Sequence, residues 1–246
     1  MEGYFQPLAE MEANHFWFRS RNRLLVYAFQ RSFPHAVNFL EVGSGNGICL
    51  SAIHEAFPAL ALVGTDVYPE GLRVARARVP SATFLQMDAR RIPFDQEFDV
   101  AGAFDVIEHI DDDEGVLRQM RQAVKPGGGI IVTVPQHTFL WTSMDQAALH
   151  RRRYSRAGLM RAATNAGLAV AWVTSFVSLL LPAMLLSRRR EYLAHEQVDV
   201  TKLLGINPFL NGVLEKVMDL ERLFIRSGVL FPAGGSLLLV ARRPAE

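Results

Sequence analysis

Along residues 37–134, short apolar runs alternate with segments of helical period, the pattern of strand-helix-strand units building a parallel sheet. The alternation predicts strands at 37–42, 60–65, 83–87, 98–104 and 130–134. Helices are predicted between them at 48–57, at 70–79 with Pro69 in the first turn, and at 111–124. The last of these opens on Asp111-Asp112-Asp113-Glu114, acids that complement the helix dipole, and stops at Lys125-Pro126-Gly127-Gly128. After a polar stretch the pattern resumes with a helix at 156–166, a strand at 168–175 and a last strand at 236–241.

Two segments fall outside this rhythm. Residues 1–30 read as a helical cap carrying His15-Phe16-Trp17-Phe18 with Arg19, Arg21 and Arg23. Residues 176–228 read as a helical insertion with apolar positions including Leu203, Leu204, Phe209, Leu210, Leu214, Val217, Leu220, Leu223 and Phe224. A connection of that length is a candidate lid, membrane contact or partner surface. The expected organisation is therefore a core at 31–175 and 229–246, flanked by these two attachments.

At 246 residues and half apolar, the chain has material for one substantial core. Lysine plus arginine number 26 against 25 acids, which gives no global bias toward nucleic acid. A lone Cys49 rules out an internal disulfide framework, and no Cys/His spacing suggests zinc, so no metal is expected. With no basic-apolar leader in Met1-Glu2-Gly3-Tyr4-Phe5-Gln6, the expected location is cytoplasmic, with the inner membrane face as a variant. That variant arises because residues 165–187 carry no charge and precede Arg188-Arg189-Arg190. Gly167, the valine- and threonine-rich alternation after it and Pro182 favour a helix end, a strand and a break over a membrane span; peripheral contact through 176–190 stays open.

Ligands of a parallel sheet lie beyond the carboxyl ends of its strands, where strand order reverses, so residues following the first four strands should meet. Gly43, Gly45 and Gly47 after the first strand permit a tight turn and leave backbone amides to a ligand. Asp66 ends the second strand 19 residues past Gly47, placed to accept ribose hydroxyls. Asp88, beside Met87 and Ala89, ends the third and suits an adenine amino group. Phe104-Asp105-Val106-Ile107-Glu108-His109 ends the fourth.

Together with Leu40-Glu41-Val42-Gly43-Ser44-Gly45-Asn46-Gly47 and residues 117–135, this set resembles the class I S-adenosylmethionine (SAM)-dependent methyltransferases. The resemblance covers residues 37–175 plus the last strand, and the flanks, through His15-Phe16-Trp17-Phe18-Arg19 and His150-Arg151-Arg152-Arg153-Tyr154-Ser155, are similar to a bacterial small-molecule or lipid-type subgroup. It implies a doubly wound, mostly parallel α/β sheet of seven strands with the last antiparallel. It also implies SAM as cofactor, its methionine part on Glu41 and the loop Gly43, Ser44, Gly45, Asn46 and Gly47, its ribose on Asp66 and its adenine on Asp88. Val67, Ala89, Phe104 and Val106 complete the implied contacts, and the flank similarity implies that residues 16–23 fold over the cofactor, with Arg19 or Arg23 meeting the SAM carboxylate.

Methyl transfer from a sulfonium is an in-line displacement that needs alignment and dehydration and, for a hydroxyl acceptor, a base. His109 past the fourth strand is the first candidate for that base, His137 past the fifth the second, and His150 the third. Arg151-Arg152-Arg153 is a candidate anion site, and with Arg188-Arg189-Arg190 and the apolar insertion it points to a hydrophobic, lipid-linked or anionic small-molecule acceptor. A nicotinamide oxidoreductase fits less well, because the glycines run G-x-G-x-G rather than G-x-G-x-x-G and no tyrosine-x-x-x-lysine pair is present. A soluble sugar or natural-product acceptor and a non-catalytic SAM-binding subunit remain alternatives. No Asp/Asn-Pro-Pro-Tyr motif supports a nucleic-acid substrate.

Overall fold

The computed structural model describes residues 5–194 and 205–245; Leu203 and Leu204 lie outside the described residues, as do the side chains of Arg188, Arg189 and Arg190. The strands are β1 (Asn38–Val42), β2 (Ala61–Asp66), β3 (Thr83–Gln86), β4 (Phe98–Phe104), β5 (Val124–Pro135), β6 (Ala169–Phe176) and β7 (Ser236–Arg242). They form one sheet in the order β3-β2-β1-β4-β5-β7-β6. All pairs are parallel except those of β7, which runs antiparallel to β5 and β6. Strand order reverses at the β1–β4 pair, so the ligand crevice of a doubly wound sheet opens there.

The helices are α1 (Phe5–Asn14), α2 (Phe16–Ser32), α3 (Ile48–Ala56), α4 (Pro69–Arg78), α5 (Asp113–Ala123), α6 (Ser143–Ala147), α7 (Arg156–Asn165), α8 (Leu181–Ala194) and α9 (Pro208–Arg226). On one face of the sheet Leu25 and Phe29 of α2, Leu50 and Ile53 of α3, Leu72 of α4 and Met218 and Ile225 of α9 pack on Phe39 and Val240. On the other, Leu117 and Met120 of α5 and Leu159 of α7 pack on Leu40, Val132 and Leu239. Both faces are covered, which is why β4, β5 and β7 read as nearly continuous apolar runs.

Several boundaries move by a residue or two. α5 starts at Asp113 because Asp112 is its N-cap, accepting from Gly115 N at 2.9 Å. Lys125-Pro126-Gly127-Gly128 does end the helix, but the segment is drawn into a longer β5 whose register shifts against β4 between Phe98 and Val100. The polar stretch after β5 holds α6 and a 3₁₀ turn at Thr138–Leu140.

The uncharged 165–187 stretch resolves into the end of α7, β6 and the start of α8, and no helix among the described residues is long and apolar enough to cross a membrane. Much of its apolar content is core: Phe176, Val177 and Leu180 are buried, leaving Leu179, Leu185 and Leu186 exposed. The larger outward apolar face belongs to α9, where Phe209, Leu210, Val213, Leu220, Leu223 and Phe224 are exposed.

The two attachments clasp each other over the sheet. Asn211 of α9 accepts from Phe16 N at 2.9 Å and donates to Asn14 O at 3.0 Å, while Arg23 pairs with Glu215 at 2.7 Å and Asp219 at 3.1 Å. Buried Glu221 accepts from Ser178 N and Leu179 N at 2.6 and 2.8 Å, which ties α9 to the exit of β6. At the other end Glu12 of α1 accepts from Asn46 Nδ2 at 2.6 Å, and Arg78 donates to Asn46 Oδ1 and Ala9 O. The N-terminal helices are thereby latched directly onto the glycine loop.

Candidate active site

Gly43, Gly45 and Gly47 all take positive φ, at 74°, 52° and 77°. A Cβ on Gly43 would lie 2.5 Å from Val106 Cγ2, and one on Gly47 2.9 Å from Ala75 Cβ, so close approach as well as backbone conformation demands glycine. Asp66, at the end of β2, is buried and braces the loop: Oδ2 accepts from Gly45 N at 2.8 Å and Oδ1 from Tyr68 N at 2.9 Å. Burial raises its pKa, partly offset by those amide donors.

Beside the loop lies a cavity of about 240 Å³. Of the sequence-predicted residues, Glu41, Gly43, Ser44, Gly45, Asn46 and Phe104 line it. Glu12, Trp17, Phe18, Arg21, Cys49 and Asp105 line it too; the flank similarity put residues 16–23 over the cofactor without singling out Arg21, and sequence reasoning assigned Glu12, Cys49 and Asp105 to no cofactor contact. Glu41 is almost wholly buried, and desolvation pushes its pKa up to about 8 against the opposing field of Arg21. Glu41 Oε2 and Ser44 Oγ are both buried without a hydrogen-bond partner. Two orphaned acceptors on a cavity wall, with an arginine opposite, fit a ligand carrying an ammonium and a carboxylate, as the methionine end of SAM does.

The cavity arginine is Arg21, not Arg19 or Arg23. With 3.6 residues per turn, Arg19 and Arg23, four apart, share one face of α2, and Arg21 points away from it. Arg19 and Arg23 face α9 and are held by Glu215 at 3.3 and 2.7 Å. Arg21 turns inward, stacks over Trp17 and Phe18 with its Cζ 4.7 and 5.3 Å from their ring centroids, and donates to Asp105 Oδ2 at 2.7 Å. Asp105 itself sits at φ 57°, a strained turn straight out of β4.

The remaining predicted contacts stand apart from the cavity wall. Val67 is half exposed, Gly47 caps α3, and Val106 packs under Gly43. Asp88 is bound by its neighbour Arg90, whose Nε lies 3.0 Å from each carboxylate oxygen; that hydrogen-bonding lowers the Asp88 pKa. Met87 and Ala89 are half-buried against the α5 side of the core.

Past β4, His109 ends the 3₁₀ turn Ile107–His109 and meets the His150 ring edge-on at 4.7 Å between centroids. Desolvation, then His150, hold its imidazole below the usual value. His137 follows β5 at φ 63° and stacks on exposed Phe139 at 4.7 Å. Its Nε2 is buried without a partner, and desolvation followed by the field of Arg153 lowers its pKa.

Two of the three arginines after α6 are held internally, while Arg151 is exposed and 3.9 Å from exposed Asp111. Arg153 forks onto Asp145 at 2.7 and 3.0 Å, and Arg152 pairs with Asp113 at 3.0 Å and donates to Asp111 O. Asp145 is itself buried; desolvation opposes its charge, but hydrogen bonds from His150 and Arg153 outweigh it and hold the carboxyl well below the usual range.

A doubly wound sheet with a reversed β7, a glycine loop braced by Asp66 and orphaned acceptors beneath it together define a domain that binds an adenosyl cofactor. The chain belongs to the class I SAM-dependent methyltransferases: the family model for the methyltransferase domain matches residues 9–172. It is 30% identical over 105 residues to a trans-aconitate 2-methyltransferase of Variovorax paradoxus, covering 42% of this chain and 40% of that one. It is 29% identical over 151 residues to a ubiquinone biosynthesis O-methyltransferase of Photorhabdus laumondii, covering 57% and 58%. The chain thus spans roughly half the length of these curated relatives. Its fold superposes on Haemonchus contortus phosphoethanolamine N-methyltransferase 2 in complex with SAM, with a TM-score of 0.59 at 21% identity over 91% of this chain and 52% of the other.

Proposed function

We propose that this chain moves the SAM methyl group to a hydroxyl oxygen of a small apolar acceptor, lipid-linked and presented at a membrane face. The observation that carries this is the exposed apolar face of α9, with Phe209 82% and Leu223 56% exposed, on a helix clasped to α2. α2 also supplies Arg21 to the cavity wall, so a greasy surface and the cofactor site share one rigid support. The match to a ubiquinone biosynthesis O-methyltransferase supports oxygen as the accepting atom.

In this reading Glu41 and Ser44 receive the SAM ammonium, Arg21 the carboxylate and Asp66 the ribose hydroxyls. Val67, Asp88 and Ala89 flank the adenine, with Asp88 released from Arg90. When bound, SAM supplies a methyl group on a sulfonium that leaves as a neutral thioether. Trp17 and Phe18 cover the cavity and exclude water. His137 takes the acceptor proton: its Nε2 is unpartnered, and its lowered pKa keeps the ring neutral near pH 7. The N-terminal cap, core and insertion divide at 1–30, 31–175 with 229–246, and 176–228.

The test measures S-adenosylhomocysteine release with a series of single-hydroxyl acceptors of growing alkyl length, alongside flotation with anionic vesicles. Rising kcat/KM with chain length and co-flotation are expected. Preference for a short soluble sugar or acid, with no vesicle binding, would refute the acceptor class.

A further inference from the structure

The turn that follows Asp105 places Glu108 and His109 side by side, and a distant loop brings His150 onto them. Arg151 N donates to Glu108 O at 2.8 Å, and Tyr154 Oη donates to Asp113 at 2.6 Å, so the two segments are laced together just after His150. One ligand atom from each of Glu108, His109 and His150 lies within 4.8 Å of the others. Donors around an ion at about 2.1 Å stand roughly 3–3.5 Å apart, a separation these side chains reach by small rotations.

Three further facts point to a bound cation. Glu108 is fully buried, and neither of its carboxylate oxygens has a hydrogen-bond partner in another residue. A carboxylate in that state is costly, and a buried unsatisfied group of this kind calls for an ion or water to complete it. His150 is already oriented as a ligand: Asp145 Oδ1 accepts from its Nδ1 at 2.9 Å, leaving Nε2 to bind, and Arg153 locks Asp145 in turn. A carboxylate behind a histidine is the outer shell that metal-ligating histidines ordinarily carry.

We propose that Glu108, His109 and His150 bind one divalent first-row transition-metal ion, such as zinc, iron(II), cobalt or manganese. One carboxylate and two imidazoles suit these ions, and three protein ligands leave at least one coordination position for an exogenous oxygen. No local pattern announces this site, because the ligands sit at 108, 109 and 150 with no motif spacing and the third arrives only through the loop after α6. Binding of the ion stands apart from the methyl-transfer reading; use of the open position by an acceptor hydroxyl would rest on it.

The experiment uses the metal alone. The full chain, stripped with chelator, is titrated with Co²⁺ without SAM or acceptor, following visible d–d absorption, and then challenged with Zn²⁺. One Co²⁺ per chain, displaced by Zn²⁺, is expected. Glu108→Gln, which preserves shape, and His150→Ala should each abolish the band, and Asp145→Asn should weaken binding about 10–100-fold with all three ligands present. Melting curves identify any variant that fails to fold, in which case the wild-type titration and Glu108→Gln decide. No band in the wild type at millimolar Co²⁺, or an unchanged band in folded Glu108→Gln and His150→Ala, overturns the site.

Discussion

The glycine-loop rim and the rim past β4 and β5 lie at the same end of one sheet but are held by different means. Around the glycine loop, position is set by backbone: three left-handed glycines, and a carboxylate that binds the loop's own amides. Past β4 and β5 it is set by side chains: Tyr154 reaches Asp113 across 41 residues, and Arg153 forks onto Asp145 eight residues before it. Backbone geometry leaves a local sequence mark, whereas cross-loop networks leave almost none. A cofactor common to a family suits the first kind of construction, and an acceptor that differs between members suits the second.

The sharpest way to break the cofactor rim is Gly43→Ala. Its Cβ would meet Val106 in a left-handed backbone, and SAM affinity measured by calorimetry should fall by roughly two orders of magnitude. Arg21→Lys, which keeps a charge opposite Asp105 but loses the planar fork, should weaken SAM about tenfold. Arg19→Ala should change it less than about twofold, because that arginine belongs to the α2–α9 clasp at the surface. Equal effects from Arg19 and Arg21 would erase the distinction between clasp and cavity.

Glu41 gives a smaller effect with a definite sign. Its folded pKa of about 8 is raised above the ordinary 4.5, so its contribution to stability is fully present below about 4.5 and lost as pH rises through about 8. Glu41→Gln should therefore raise the melting temperature of the SAM-free protein at pH 9 more than at pH 5. Because the SAM ammonium favours the ionised carboxylate, wild-type binding near pH 7 should release a proton, seen as a buffer-dependent heat that Glu41→Gln lacks. Smallest of all is Leu223→Ser on the exposed face of α9. It should leave stability within about 0.5 kcal/mol while reducing vesicle co-flotation a few-fold.

The sheet was readable because period-2 apolar runs and helix stops are local signals; each strand except β5, which starts six residues early, lies within a residue of its predicted place, and β7 is reversed as the family resemblance implied. Gly43, Gly45 and Asp66 were readable for the same reason. Arg21 was not, since the choice among three arginines on one helix depends on which face meets the cavity and which meets α9. The arginine run at 151–153 looked like an anion site because its partners Asp111, Asp113 and Asp145 come from other segments or stand several residues away. The uncharged 165–187 stretch looked greasy because part of it is core, a distinction that only packing draws.

Calorimetric titration with SAM of the wild-type chain and of Asp66→Ala bears most directly on the central claim, that β1 and β2 deliver the glycine loop and a carboxylate to one adenosyl site. The account predicts one site per wild-type chain and affinity about 100-fold weaker in a folded Asp66→Ala. Absence of binding to the wild type, or wild-type affinity in the variant, would contradict it.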